Sequence, residues 1–203
     1  MDRVTAQLRA CVETSSLFQF GLKVFMDARM LVTHKEGDRY PLGPPNDIYS
    51  MIHIIKTITD KFLNLIEDDP VRPNIPRESR VGDNKDIFVL RDENGVDVKA
   101  IVCVSYQSEV PTSESELFRV DDNPTIAVFY TVWSYDKGSG RQVIFDAVDY
   151  IKENLPHIKR FVTLSPKTEL AKRFHLKNGA VVFRENETSV NYEYEVYSTV
   201  AQR

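Results

Sequence analysis

The feature that most constrains this chain is an almost wholly apolar run, TIAVFYTVWSY at Thr125–Tyr135, followed across the small-residue segment DKGSGRQ by an amphipathic helical stretch. A run that apolar offers no face to water, so it belongs in the middle of a sheet covered on both sides. In the helical stretch VIFDAVDYIKENL, Ile144, Phe145, Val148, Ile151 and Leu155 share one face, and Pro156 closes it. The strand-to-helix step then repeats. IKRFVTLS reads as a strand, and Pro166 to Lys177 as a shorter helix with Ser165 as its cap, Pro166 at its first position and Asn178-Gly179 as its stop. AVVFR and VNYEYEVYS close the chain as strands, with Val190, Tyr192, Tyr194 and Val196 on one face and Asn191, Glu193 and Glu195 on the other.

Upstream, DIFVLRDENGVDVKAIVCVSY reads as two strands joined around Asn94-Gly95, a pair that accepts positive φ in a tight hairpin. Gln107 to Asp122 is polar and reads as a loop. These parts make an α/β (α+β) domain, a mixed sheet flanked by helices, over about 81–203. The preceding residues, 1–80, read as a helical extension packed on it. Met1 to about Asp27 carries a helical stripe of Leu8, Val12, Leu17, Phe20 and Val24, and Thr33 to Asp47 is a loop with Asp47 as an N-cap. From Tyr49 to Ile66, Met51, Ile54, Ile55, Ile58, Phe62, Leu65 and Ile66 fall near one helical face, before the proline-rich PVRPNIPRE.

Charge and cysteine usage exclude several classes. The formal charge is −4 without a dense basic stripe, which argues against nucleic acid as a partner. Cys11 and Cys103 are far apart, the expectation being two free thiols in a reducing compartment and no metal centre. The N-terminus lacks the apolar core of a signal peptide, and no apolar run approaches the roughly 18 residues of a membrane span. The expected setting is the cytoplasm, without a membrane partner.

Chemistry concentrates at three places. In SYDKGSGRQ, the small residues Gly138, Ser139 and Gly140 let backbone N–H groups approach a polyanion at a helix N-terminus, with Lys137 and Arg141 as cationic partners for a diphosphate. An ordinary surface turn is the alternative. His175, in KRFHLKNG, carries a ring whose ordinary pKa of about 6.5 suits acid–base work, though a histidine at a helix end also serves as a cap or a surface group. Tyr192 and Tyr194 alternate along the last strand, where one could supply a phenolic proton or both could fill a core edge. Thr131 and Ser134 are the hydroxyls nearest the glycine turn, although a strand threonine also reflects β-propensity.

The segment FYTVWSYDKGSG, through LPHIKRFVTLSP and RFHLKNGAVVFR to VNYEYEV, resembles the catalytic domain of malonyl-CoA decarboxylase, within the GNAT-like acyltransferase superfamily. The likeness covers about Ile126 to Val196 and implies a GNAT-like fold with coenzyme A or an acyl-CoA as substrate, lying across the mouth between the central strand and IKRFVTLS. It further implies that His175 is the catalytic acid or base and Tyr192 its partner. For a family serine near the glycine turn, Thr131 is closest in register and Ser134 is nearby. The turn is shorter than the family's, and the helical insertion expected between LSP and FHLKNGA is missing. On the resemblance, transfer of an acyl group to a small acceptor comes first, since it dominates the superfamily. Decarboxylation of a malonyl-type thioester comes second, and a noncatalytic CoA-binding or structural protein third. A homodimer is compatible with all three.

Overall fold

The computed structural model describes residues 51–195. The helices expected within 1–27, the loop of 33–47 with its Asp47 cap, Cys11 and Val196 lie outside that range.

The order of apolar and polar residues builds one mixed sheet. Its strands are β1 (Ile52–Ile55), β2 (Lys85–Arg91), β3 (Val98–Gln107), β4 (Ile126–Ser134), β5 (Arg160–Thr163), β6 (Ser165–Pro166), β7 (Ala180–Glu185) and β8 (Ser189–Tyr194). They run in the order β1-β2-β3-β4-β5-β8-β6, with β7 paired to β8. β4 and β5 are parallel, joined by helix α1 (Ser139–Asn154), whereas the other pairings are antiparallel. A second helix, α2 (Glu169–Lys177), links β6 to β7. This is the GNAT-like arrangement expected from the sequence, and β4 is the apolar central strand.

Alternation along the strands sends side chains into two cores, one on each face. On the first face, Phe88, Leu90, Val102, Val104, Ala127 and Phe129 pack beneath Val143, Ile144, Ala147, Val148 and Ile151 of α1. On the second, Ile87, Val89, Ile101, Cys103, Val128 and Tyr130 meet Phe62, Leu63, Ile66 and Ile75. No helix covers this second face among the described residues. Short 3-10 turns at Leu63–Asp68 and Arg77–Arg80 do so instead.

The helix expected over 49–66 is therefore corrected over its described residues, 51–66. Ile52–Ile55 forms the edge strand β1, in antiparallel register from Ile52↔Leu90 to Ile55↔Ile87, and only Leu63–Asp68 is helical, as a 3-10 turn. The β-branched isoleucines favour a pleated surface, and an available sheet edge outweighs their helical spacing. The hairpin after β2 is also longer than a two-residue turn. Asp92 Oδ1 accepts the N–H groups of Val96 and Asp97 at 2.8 and 3.0 Å, and Gly95 alone in that loop has positive φ, at 69°.

Two irregularities in the middle of the sheet position the site. The β3–β4 register shifts between Cys103 and Val104, which pair with Thr131 and Phe129, so Tyr130 is an extra residue bulged out of β4. Parallel pairing of β4 with β5 ends at Phe129↔Thr163, and Leu164 N–H makes a last bond to Phe129 O at 3.1 Å. Beyond that point the chain from β5 turns away as β6 and pairs with β8, leaving a split beside β4.

Candidate functional site

α2 is exposed along most of its length, but His175 is buried, 5% exposed, and faces the sheet. The helix begins later than expected. Thr168 is its N-cap, its Oγ1 accepting the Ala171 N–H at 3.2 Å, while Ser165 and Pro166 remain extended as β6. Ser165 is thereby released from capping. Its Oγ lies 2.9 Å from His175 Nε2 and 2.9 Å from Thr163 Oγ1, to which it can donate. On the other side of the ring, Nδ1 lies 2.9 Å from the Tyr194 hydroxyl. Gly179, with φ of 87°, ends the helix as expected from Asn178-Gly179.

The result is a hydrogen-bonded line, Tyr194–His175–Ser165–Thr163, drawn from β8, α2, β6 and β5. Burial pulls the His175 pKa down to about 4, so the imidazole is neutral at neutral pH. Burial raises that of Tyr194, so its phenol keeps its proton. A neutral ring donates through one nitrogen and accepts through the other. Tyr194 can donate to Nδ1 while Nε2–H donates to Ser165, or Ser165 can donate to Nε2 while Nδ1–H donates to Tyr194. Passing from one arrangement to the other requires a proton taken up at one end of the line and one released at the other, and leaves the imidazole neutral throughout.

The resemblance makes Tyr192 the expected partner of His175, and its observed contact is a stack of rings, 4.8 Å between centroids at 25°. Tyr194, two residues on and on the same strand face, makes the hydroxyl contact. The alternation of the two tyrosines carries this information, since it puts both beside the same neighbour. Ser165 is visible in the sequence only as a helix cap.

The glycine turn borders the same site. Gly138, at φ of 90°, is the N-cap of α1 and needs the freedom of glycine there. A Cβ on Gly140 would lie 3.7 Å from the Phe174 ring, beside His175. Arg141 lies over the Phe145 ring at 4.6 Å, and Phe145 meets Tyr194 edge-on at 5.9 Å. Lys137, Arg141 and Ser134 are exposed, whereas Ser139 and Gly140 are buried. The turn also consumes part of its own donor set, since Ser139 N–H bonds Asp136 O and Arg141 N–H bonds Gly138 O.

Thr131 is not part of this line. Plain alternation from Phe129 would place it on the face of α1 and α2, but the bulge at Tyr130 turns it to the second face. There it donates to Asp69 Oδ1 at 2.9 Å. Asp69 also accepts from Arg80 at 2.5 Å, in an ion pair fully shielded from solvent. Arg80 Nη2 donates to the carbonyls of Arg72 and Ile75 at 2.6 and 3.1 Å. Arg72 reaches into the β4–β5 split, where its guanidinium donates to Tyr130 O, on the bulge, and to Leu164 O at 2.8 Å. Cys103, a free thiol, is buried beside Arg80, and burial pushes its pKa up to about 12. Among the described residues no group of His, Cys, Asp and Glu side chains could hold a metal ion, and no helix is long and apolar enough to cross a membrane.

No family model matches the sequence, and no curated protein matches it. Solved structures do. The malonyl-CoA decarboxylase of Agrobacterium vitis is similar with a TM-score of 0.59 at 17% identity, over 75% of this chain and 64% of that one. That of Cupriavidus metallidurans gives 0.57 at 14%, over 70% and 60%. That of Rhodopseudomonas palustris gives 0.56 at 18%, over 71% and 60%. At such identities the likeness is one of fold, and this chain spans only 60–64% of the length of those proteins.

Proposed function

We propose that this chain binds an acyl-coenzyme A thioester and decarboxylates one of malonyl type. The observation that carries the reading is the buried Tyr194–His175–Ser165 line at the edge of the β4–β5 split. The likeness of fold to three malonyl-CoA decarboxylases supports it, and ranks decarboxylation above the acyl transfer that the sequence places first.

In this reading the diphosphate lies at the first turn of α1, near Lys137, Gly138, Ser139, Gly140 and Arg141, and the thioester reaches the split beside Ser165. Decarboxylation breaks the bond between the carboxylate and the α-carbon. The electron pair passes into the thioester as an enolate, carbon dioxide leaves, and a proton returns to the α-carbon. Ser165 O–H, backed by His175, donates in this reading to the enolate oxygen or delivers that proton. Because the line is neutral it can supply a proton without first burying an imidazolium. Tyr194 fixes the ring from behind, and Tyr192 holds its plane by stacking. The net change is malonyl thioester plus one proton to acetyl thioester plus carbon dioxide.

A second reading, acyl transfer, requires a route for an acceptor to the thioester. Arg72 and its partners fill the second-face side of the split, which disfavours it. Incubation of the purified chain with malonyl-CoA, followed by mass spectrometry, tests the proposal. Acetyl-CoA and carbon dioxide should appear in equal amounts, with the rate lowered at least about 100-fold in Ser165→Ala and in His175→Asn. Binding without conversion would remove decarboxylation, and binding of no CoA species would remove the whole reading.

A further inference from the structure

The two ends of the buried line are not equivalent. Thr163, at one end, is wholly shielded from solvent and is gripped by β8. Its Oγ1 accepts the backbone N–H of Tyr192 at 3.1 Å, and its carbonyl accepts from Nδ2 of Asn191, also fully buried, at 2.8 Å. A backbone N–H can only donate, so it commits one lone pair of the Thr163 hydroxyl to β8. Ser165 Oγ approaches the same oxygen at 2.9 Å as a donor and fills the other.

Tyr194 stands at the opposite end, its hydroxyl 2.9 Å from His175 Nδ1. A phenol, ordinarily with a pKa of about 10, is the most acidic donor of the line, and an imidazole nitrogen, ordinarily with one of about 6.5, is its most basic acceptor. Both ends therefore favour the same polarity. Tyr194 O–H donates to Nδ1, Nε2–H donates to Ser165 Oγ, and Ser165 O–H donates to Thr163. The reverse polarity would turn the Ser165 hydrogen onto the ring, where a substrate could not use it. One strand governs both ends, since the Tyr192 N–H directs the acceptor and Tyr194 supplies the donor, with the Tyr192 ring stacked on the imidazole between them.

We infer that Thr163 is a positioning residue: as the acceptor that ends the line, it holds His175 in the tautomer protonated at Nε2 and keeps the Ser165 hydrogen off the ring. The inference rests on the decarboxylation reading above and deepens it, naming what sets the direction of its proton donor. When the enolate oxygen forms, the Ser165 O–H swings from Thr163 to that oxygen while Ser165 Oγ still accepts from Nε2–H, and a hydroxyl that accepts one hydrogen bond donates another more strongly. Thr163 acts in this only through Ser165.

Proton–nitrogen correlation spectra of the full chain, isotopically labelled at its histidine ring nitrogens, read the tautomer directly, the His175 signals being those absent from His175→Asn. At neutral pH the wild-type chain should show Nε2 protonated and Nδ1 bare. Thr163→Val keeps the shape and removes the acceptor, and should move the proton to Nδ1, whereas Thr163→Ser should keep it at Nε2. In malonyl-CoA conversion, Thr163→Val should lower kcat about ten-fold with KM within about two-fold, and Thr163→Ser should return kcat to within about three-fold of wild type. Protonation at Nδ1 in the wild-type chain, an unchanged tautomer in Thr163→Val, or failure of Thr163→Ser to restore the wild-type tautomer would each overturn the assignment while malonyl-CoA conversion stands. The wild-type spectrum decides by itself if Thr163→Val does not fold. Absence of conversion by the wild-type chain would instead overturn the decarboxylation reading, and with it the role of Thr163 in that reaction.

Discussion

Two buried polar clusters flank the β4–β5 split, and they differ in kind. On the first face, Tyr194, His175, Ser165 and Thr163 form a neutral line in which every link is a shared proton. On the second, Asp69, Arg80 and Arg72 form a charged knot whose hydrogen bonds run mostly to backbone and whose protons have nowhere to go. Similar depth thus serves different ends. Neutral groups can be buried at modest expense and still change protonation pattern, whereas charges can be buried only when held fast, and then fix whatever they hold.

The comparison breaks first if the knot turns out not to be structural. Arg80→Met leaves the Asp69 carboxylate buried without its partner, and should lower unfolding free energy in urea by about 3–5 kcal/mol. A loss below about 1 kcal/mol would mean that the second face is held by its apolar contacts alone. The neutral line gives the next largest effect, through pH. With the folded His175 pKa near 4 and an unfolded value near 6.5, the unfolded chain takes up a proton first on acidification. Its contribution is complete above pH 6.5, declines as pH falls, and levels off below 4, a change of about 3 kcal/mol. The difference in stability between the wild-type chain and His175→Asn should trace that curve, and a flat difference would place the ring in a more solvated setting. The smallest effect sharpens the boundary between the clusters. Thr131→Val removes one bond to Asp69, should cost about 1–2 kcal/mol, and should leave the rate of malonyl-CoA conversion within about three-fold. A drop of 100-fold would move Thr131 into the reacting site.

The same contrast explains how much can be read from the sequence. β4, α1, α2 and the closing strands announce themselves through periodicity, a glycine stop and a proline, which are local signals. His175 is also legible, through a short run of residues that resembles a family's. Ser165 is hidden because one serine before a proline serves equally as a helix cap or a strand residue, and only the pairing of β6 with β8 decides between them. Thr131 is singled out by register and by nearness to the glycine turn, neither of which shows the bulge at Tyr130 that reverses the side on which its hydroxyl lands. β1 reads as helix because its isoleucines match both periods, and the free edge of β2 lies 30 residues or more away in sequence. Arg72 has no local signature at all. It sits in a proline-rich stretch that reads as a linker, and its importance comes from two carbonyls 58 and 92 residues further along.

Neighbouring parallel strands ordinarily bond to each other along their whole shared length, and here a side chain from a third segment has taken the place of the missing rungs. The Tyr130 and Leu164 carbonyls, which face the gap, are already satisfied by Arg72, so closing it would gain nothing for them. Arg72 is in this sense a permanent wedge. The separation of the strands is set when the chain folds, and a ligand of the proposed kind would meet a gap already framed rather than one that must first be pried apart.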